Sequence, residues 1–96
     1  MKVTICDDSV MDLRKIEDLL LQYKLLHPHR DFETEKFADP SGLYQEITRG
    51  KLADIYILDM VMPKRTGIDL GRLIRQCGSG SVIIYLTSSD DYALDA

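Results

Sequence analysis

The sequence predicts one α/β domain, in which helices cover both faces of a parallel sheet. The chain has 96 residues, which is the short side of a single domain, so it can build one core. Strand-like and helix-like segments alternate as β-α-β-α-β-α-β with short connections, and this order demands right-handed crossovers between parallel strands. Three of the four strand-like segments are nearly continuous apolar runs, which is typical of strands buried on both faces.

The first strand and the first helix have strong signals. Residues 2–6 form a β-branched, apolar run that ends abruptly at Asp7 and Asp8, which predicts a buried strand. Ser9 is placed to cap the following helix. Apolar residues then recur at spacings of three and four, so we expect this helix to end before Pro28.

The second strand and the second helix have weaker signals. Residues 33–37 mix charged and aromatic side chains, which predicts an edge strand that tolerates charge. Asp39 and Pro40 predict a helix start, with Asp as the N-cap and Pro at the first helical position. This short helix is expected to extend to Gly50.

The remaining elements complete the alternation. Residues 53–58 and 81–86 are apolar runs of strand length, and the first of them ends on Asp59. Between them, after a loop, Thr66 is placed to cap a third helix. Residues 92–96 predict the first turn of a fourth helix.

Composition excludes several classes of protein. The formal net charge is -4 and the sequence pI is near 5.0, so these residues are not expected to bind nucleic acid, whose phosphates require basic surfaces. No apolar stretch approaches the roughly 20 residues needed to cross a bilayer, and the N-terminus is unlike a signal peptide. Two distant cysteines fit a reducing compartment. We therefore expect a cytoplasmic protein that does not contact the membrane.

Polar side chains follow three of the predicted strands at their carboxyl ends. They are Asp7, Asp8, Asp59 and Thr87. Because the carboxyl ends of parallel strands meet at one edge of the sheet, these groups are expected to converge there. Any single Asp could simply cap a helix, but three strands ending alike favour a site. Clustered carboxylates repel one another unless a cation neutralises them, and oxygen-only ligands suit Mg²⁺ better than zinc.

These motifs together resemble the receiver domain of two-component response regulators, and the resemblance covers all 96 residues. They are the Asp7-Asp8 pair after the first strand, the Asp59-Met-Val-Met-Pro63 run with Gly67 four residues later, and the Leu-Thr87-Ser segment after the fourth strand. The resemblance implies a flavodoxin-like, CheY-like, doubly wound sheet, which in the family has the strand order 2-1-3-4-5.

The resemblance also implies a role for each site residue. Asp59 would accept a phosphoryl group from a sensor histidine kinase. Asp7, Asp8, Asp59 and the main-chain carbonyl of Val61 would hold Mg²⁺, and Thr87 would contact the phosphoryl group as a switch. Met60, Pro63 and Gly67 would form the loop that supports the site.

The sequence departs from the family after the fourth strand. It has no segment matching the fifth strand, its terminal Lys or the fifth helix, so residues 1–96 are expected to form an incomplete receiver domain of order 2-1-3-4, without an output domain. Residues 82–86 would then be an unpaired edge, and sheet surface beside the first helix would be uncovered. Both features predict a homodimer or an oligomer joined at the strand edge.

The tail resembles regulators whose output is a LytTR-type, transcription-regulating DNA-binding domain. Two alternatives to a phosphoacceptor domain stay open. One is an interaction module that works without phosphorylation, which stays open because the Lys is missing. The other is a Mg²⁺-dependent phosphohydrolase, which would need a general acid two residues after the nucleophile, where this chain has Val61. The phosphoacceptor hypothesis predicts no enzyme activity beyond self-phosphorylation and dephosphorylation at Asp59.

Overall fold

The computed structural model describes residues 1–62, 65–78 and 80–86 and the backbone of residues 92–95. The elements in chain order are β1 (Lys2–Cys6), α1 (Val10–Leu26), β2 (Glu33–Phe37), α2 (Pro40–Thr48), β3 (Ile55–Asp59), α3 (Gly67–Gln76), β4 (Val82–Leu86) and β5 (Tyr92–Asp95). The first seven are the four strands and three helices that the sequence predicts. No helix among the described residues has the length and hydropathy needed to cross a membrane.

The helices begin where the sequence places their caps. The Ser9 side chain accepts a hydrogen bond from the backbone of Asp12 at 3.3 Å. Asp39 caps α2 with Pro40 in the first turn. Thr66 and Asp69 form a reciprocal capping box at α3, in which each side chain accepts from the backbone N–H of the other residue.

The sheet has the predicted parallel order. In the described chain the strand order is β2-β1-β3-β4-β5, and the pairs β1–β2, β1–β3 and β3–β4 are parallel. The flavodoxin-like class and the 2-1-3-4 arrangement are therefore confirmed. The registers pair Cys6 with Leu58 and Asp59 with Leu86, so the carboxyl ends of the central strands lie side by side.

The fifth strand differs from the prediction. Residues 92–95 form an antiparallel strand beside β4 in place of the first turn of a helix, with Leu86 paired with Tyr92 and Ile83 with Asp95. An edge of a sheet offers unpaired N–H and C=O groups, whereas a single helical turn must bear the cost of nucleation. The prediction that β4 forms an unpaired edge is also wrong, because β5 pairs with β4.

The two faces of the sheet are filled unequally. The face toward α2 and α3 carries the main core, which among the described residues comprises Cys6, Leu43, Ile47, Ala53, Tyr56, Leu58, Met62, Leu70, Ile74, Ile83 and Tyr85. Right-handed crossovers in opposite directions place α1 on the other face. Leu13 is the buried residue of α1, and Val82 in β4 is 46% exposed. Apolar sheet surface beside α1 is thus partly open, as the sequence predicts.

Candidate functional site

The ends of β1 and β3 bring three carboxylates together. β1 leads directly into Asp7 and Asp8, and β3 ends on Asp59 in the adjacent parallel strand. One carboxylate oxygen from each of the three lies within 4.8 Å of the others. Apolar strands that are buried on both faces fix their own positions, so the convergence follows from the fold and needs no flexible loop.

Backbone N–H groups orient two of these carboxylates. Asp7 is buried and accepts a hydrogen bond from the backbone N–H of Ser9 at 2.9 Å. Asp59 is half-buried and accepts from the backbone N–H of Val61 at 3.3 Å. Asp8 is exposed, so the cluster opens to solvent on its side.

Burial and mutual repulsion raise the affinity of the cluster for protons. Burial, followed by the charges of Asp7 and Asp8, raises the pKa of Asp59 to about 6, although the Val61 N–H acts in the opposite direction. Burial likewise raises the pKa of Asp7, with the Ser9 N–H opposing it. A cation at this position would relieve the repulsion between the carboxylates.

The donor set fits a hard divalent cation such as Mg²⁺. Three carboxylates offer oxygen ligands, which Mg²⁺ prefers. The nearest sulfur in sequence, Cys6, is buried and points to Met62, with Sγ and Sδ 3.8 Å apart. Burial raises the pKa of Cys6 to about 12, so it remains a thiol at neutral pH and offers no thiolate to a softer metal.

The loop after β3 is tied to the sheet and to itself. The backbone N–H of Met60 donates to the Leu86 carbonyl at 2.6 Å, and that of Gly67 donates to the Met60 carbonyl at 3.2 Å. A Cβ atom on Gly67 would collide with the carbonyl oxygen of Asp59. This close approach explains why the sequence has Gly at the start of α3.

Sequence reasoning missed one contact of this loop. The guanidinium carbon of Arg65 lies 3.6 Å from the centre of the Tyr44 ring in α2. The two residues are far apart in sequence and follow no motif, so no local signal predicts the pair. Met62 in the same loop packs in the core and is only 5% exposed.

The predicted site residues fall into two groups. The structure places Asp7, Asp8 and Asp59 together, with Val61 at the carboxylate of Asp59 and with Met60 and Gly67 in the adjoining loop. Pro63 and Thr87 lie outside the described residues.

The family model for the response regulator receiver domain matches residues 3–96. The chain belongs to this family. The chain is 32% identical over 72 residues to Stress response regulator protein 1 from Scheffersomyces stipitis, a match that spans 75% of the chain and only 23% of that protein.

Solved structures share the fold of this receiver domain. The response regulator receiver domain protein from Clostridium thermocellum superposes with a TM-score of 0.68 at 28% identity, over 90% of this chain and 64% of that one. The N-terminal domain of a response regulator/sensory box/GGDEF 3-domain protein from Carboxydothermus hydrogenoformans gives 0.76 at 19% identity, over 99% and 70%. The receiver domain of the histidine kinase CKI1 from Arabidopsis thaliana, complexed with Mg²⁺ and BeF3⁻, gives 0.67 at 21%, over 94% and 67%.

Proposed function

We propose that this receiver domain accepts a phosphoryl group on Asp59 from a phosphohistidine of a sensor histidine kinase. Asp7, Asp8, Asp59 and the main-chain carbonyl of Val61 would hold Mg²⁺. The observation that carries the proposal is the cluster of three carboxylates at the ends of two central strands in a chain of this family. The neighbour crystallised with Mg²⁺ and BeF3⁻ shares this fold and supports the same use of the site.

Asp59 would act as the nucleophile. Its pKa of about 6 leaves the carboxylate mostly ionised at neutral pH and still more basic than an ordinary Asp. The N–H of Val61 holds one oxygen in place. Attack of a carboxylate oxygen on phosphorus forms an acyl phosphate, the P–N bond of the donor breaks, and the imidazole leaves with a proton.

The charge of the transferred group is the main obstacle to this reaction. When bound, Mg²⁺ supplies positive charge that offsets the charge on the phosphoryl oxygens. The acidic pair Asp7 and Asp8 would keep that ion beside Asp59, and the burial of Asp7 would fix its position. The protein contributes position and electrostatics and acts on its own side chain, so we propose no separate substrate and no enzyme activity beyond Asp59.

The same site would act as a switch. Phosphorylation adds nearly two negative charges, and we propose that Thr87 contacts the phosphoryl group and moves with it. The shift would control an output domain, which we propose to be DNA-binding and LytTR-type, in the cytoplasm. We also keep a homodimer as a prediction, because apolar surface beside α1 is partly open.

A phosphohydrolase is less well supported. That reaction needs a general acid beside the nucleophile. The corresponding residue, Val61, carries no ionisable group and is 63% exposed.

Incubation with Mg²⁺ and acetyl phosphate tests the proposal. We expect an adduct that is stable in acid and labile in base, detected by intact mass spectrometry, in the wild-type chain and in Asp54→Asn. Asp54→Asn is a matched control, because the Asp54 carboxylate lies away from the cluster and accepts a hydrogen bond from the backbone N–H of Lys2.

Asp59→Asn should show no adduct. Labelling of Asp59→Asn at the wild-type rate would refute the assignment of the phosphoacceptor. A wild-type chain that stays unlabelled would refute phosphorylation of this receiver domain by small donors.

A further inference from the structure

The β3–α3 loop, of which the structure describes residues 60–62 and 65–66, carries the Val61 backbone that orients Asp59. Three contacts tie the loop to the sheet and to itself. The N–H of Met60 donates a hydrogen bond to the Leu86 carbonyl, and the N–H of Gly67 donates one to the Met60 carbonyl. Met62 lies buried against Cys6. A fourth contact, between Arg65 and Tyr44, joins the loop to α2.

Tyr44 provides a firm platform for this fourth contact. Its side chain is partly buried and packs against the main core cluster. α2 is itself fixed by the Asp39 cap and by Leu43 and Ile47, which are 2% and 0% exposed. A guanidinium stacked 3.6 Å above this ring therefore has a defined position relative to the core.

We infer that Arg65 and Tyr44 position the β3–α3 loop for cation binding at Asp59. The inference rests on the proposed function and adds two positioning residues to it. Arg65 lies four residues after Val61, so releasing the stack would let the loop depart from the backbone position that orients the Asp59 carboxylate. The side chains of Arg65 and Tyr44 would act through the loop and would not touch the metal.

The signs of two opposing effects make the inference testable. Removing the positive charge of Arg65 should, by electrostatics alone, strengthen cation binding elsewhere in the protein or leave it unchanged. Losing a positioning contact should weaken it. Tyr44→Leu removes the same contact without changing the charge, so the two variants separate geometry from charge.

The experiment measures the Mg²⁺ dissociation constant of metal-free protein by calorimetric titration. We expect Tyr44→Leu and Arg65→Leu to weaken binding about two- to fivefold, which corresponds to about 0.5–1 kcal/mol, the usual size of such a stack. Tyr44→Phe keeps the ring and should bind as wild type does. Arg72→Leu is the control for charge, because it removes an exposed cation of α3 and should leave binding unchanged or stronger.

A second measurement reports on the loop without metal. Amide hydrogen exchange at Val61 should accelerate about two- to fivefold in both contact-deleting variants and stay at the wild-type rate in Tyr44→Phe. The double variant Tyr44→Leu with Arg65→Leu should lose no more affinity than either single variant, because both remove one shared contact.

The outcomes separate the inference from the proposed function. Wild-type Mg²⁺ affinity and Val61 exchange in folded Tyr44→Leu and Arg65→Leu would overturn the inference and leave the proposed function standing. Absence of Mg²⁺ binding in the wild type would overturn both. If Tyr44→Leu does not fold, weaker Mg²⁺ binding in Arg65→Leu still supports the inference, because loss of the charge alone would not weaken binding. Unchanged amide exchange at Val61 in Arg65→Leu would then overturn it.

Discussion

Ionised Asp59 lowers the stability of the folded state. Its pKa of about 6 lies above the ordinary value of 3.8, so the folded state binds the proton more tightly than the unfolded chain does. The contribution of this group to stability is therefore greatest below about pH 4 and is lost as pH rises through about 6. At neutral pH, in the absence of metal, the ionised cluster destabilises the fold.

Asp59→Asn should stabilise the metal-free protein. The amide removes one of three clustered charges, and after allowance for partial exposure to solvent we expect a gain of about 1 kcal/mol at pH 7. Urea unfolding between pH 4.5 and pH 7.5 checks this, because the advantage of the variant should shrink toward the acid end. Asp54→Asn should give no such pH-dependent gain, and equal pH profiles for wild type and Asp59→Asn would contradict the expectation.

Gly67 allows a close backbone contact that a side chain would block. Its missing side chain lets the start of α3 approach the Asp59 carbonyl, so Gly67→Ala should force the backbone apart and cost about 2 kcal/mol or more. It should also weaken Mg²⁺ binding. Gly80→Ala is the control, because a Cβ there meets nothing within 4 Å. Denaturant melts that rank the two variants equally would disprove the steric argument.

The packing of α3 on β4 depends on a pairing of a small residue with a large one. Gly71 in α3 faces the hydroxyl of buried Tyr85 in β4, and a Cβ at Gly71 would collide with that hydroxyl. Gly usually weakens a helix interior by about 1 kcal/mol relative to Ala. Here the close approach of the strand outweighs that propensity.

Gly71→Ala should therefore destabilise the protein, against its effect on helix propensity, by about 1–3 kcal/mol. Tyr85→Phe removes the hydroxyl that would collide, so the double variant Gly71→Ala with Tyr85→Phe should be more stable than Gly71→Ala alone. Urea unfolding of the four proteins gives the coupling energy between the two positions. Additive effects would show that the hydroxyl is not the obstacle.

The elements that the sequence predicts correctly are those with local signals. Ser9, Asp39 and Thr66 mark helix starts because each supplies a side-chain oxygen to unpaired N–H groups. Asp7 and Asp59 are found because each ends an apolar run. The helical turn predicted at residues 92–96 is wrong because the strand found at residues 92–95 depends on the edge of β4, which is a property of the assembled sheet.

The contact between Arg65 and Tyr44 escapes prediction for a related reason. It joins a loop to a helix that precedes it by a whole strand, and neither residue type is unusual in its place. Strand order and the acidic edge follow from patterns along the chain. Contacts between loops and helices depend on side-chain positions that only the folded molecule defines.

At the scale of the whole molecule, the two layers of helices differ in completeness. α2 and α3 close one face over a continuous core, whereas α1 leaves Leu25 and Leu26 at 82% and 76% exposed on the other. Much of the stabilising burial therefore lies on the side of α2 and α3, next to the loop that borders the acidic site. Binding at the site should therefore change the stability of the entire domain through that core.

Mg²⁺ should accordingly stabilise the whole protein. A ligand that binds the folded state alone adds about 2.7 kcal/mol at a concentration 100 times its dissociation constant, which would raise Tm by roughly 10–20 °C in a domain of this size. Thermal melts in increasing MgCl2, at ionic strength held constant with NaCl, measure the effect. Asp59→Asn should start higher and rise less, so the two curves of Tm against Mg²⁺ should cross. Parallel curves would show that Asp59 does not hold the ion, because the repulsion that lowers stability without metal and the attraction that raises it with metal come from the same carboxylate.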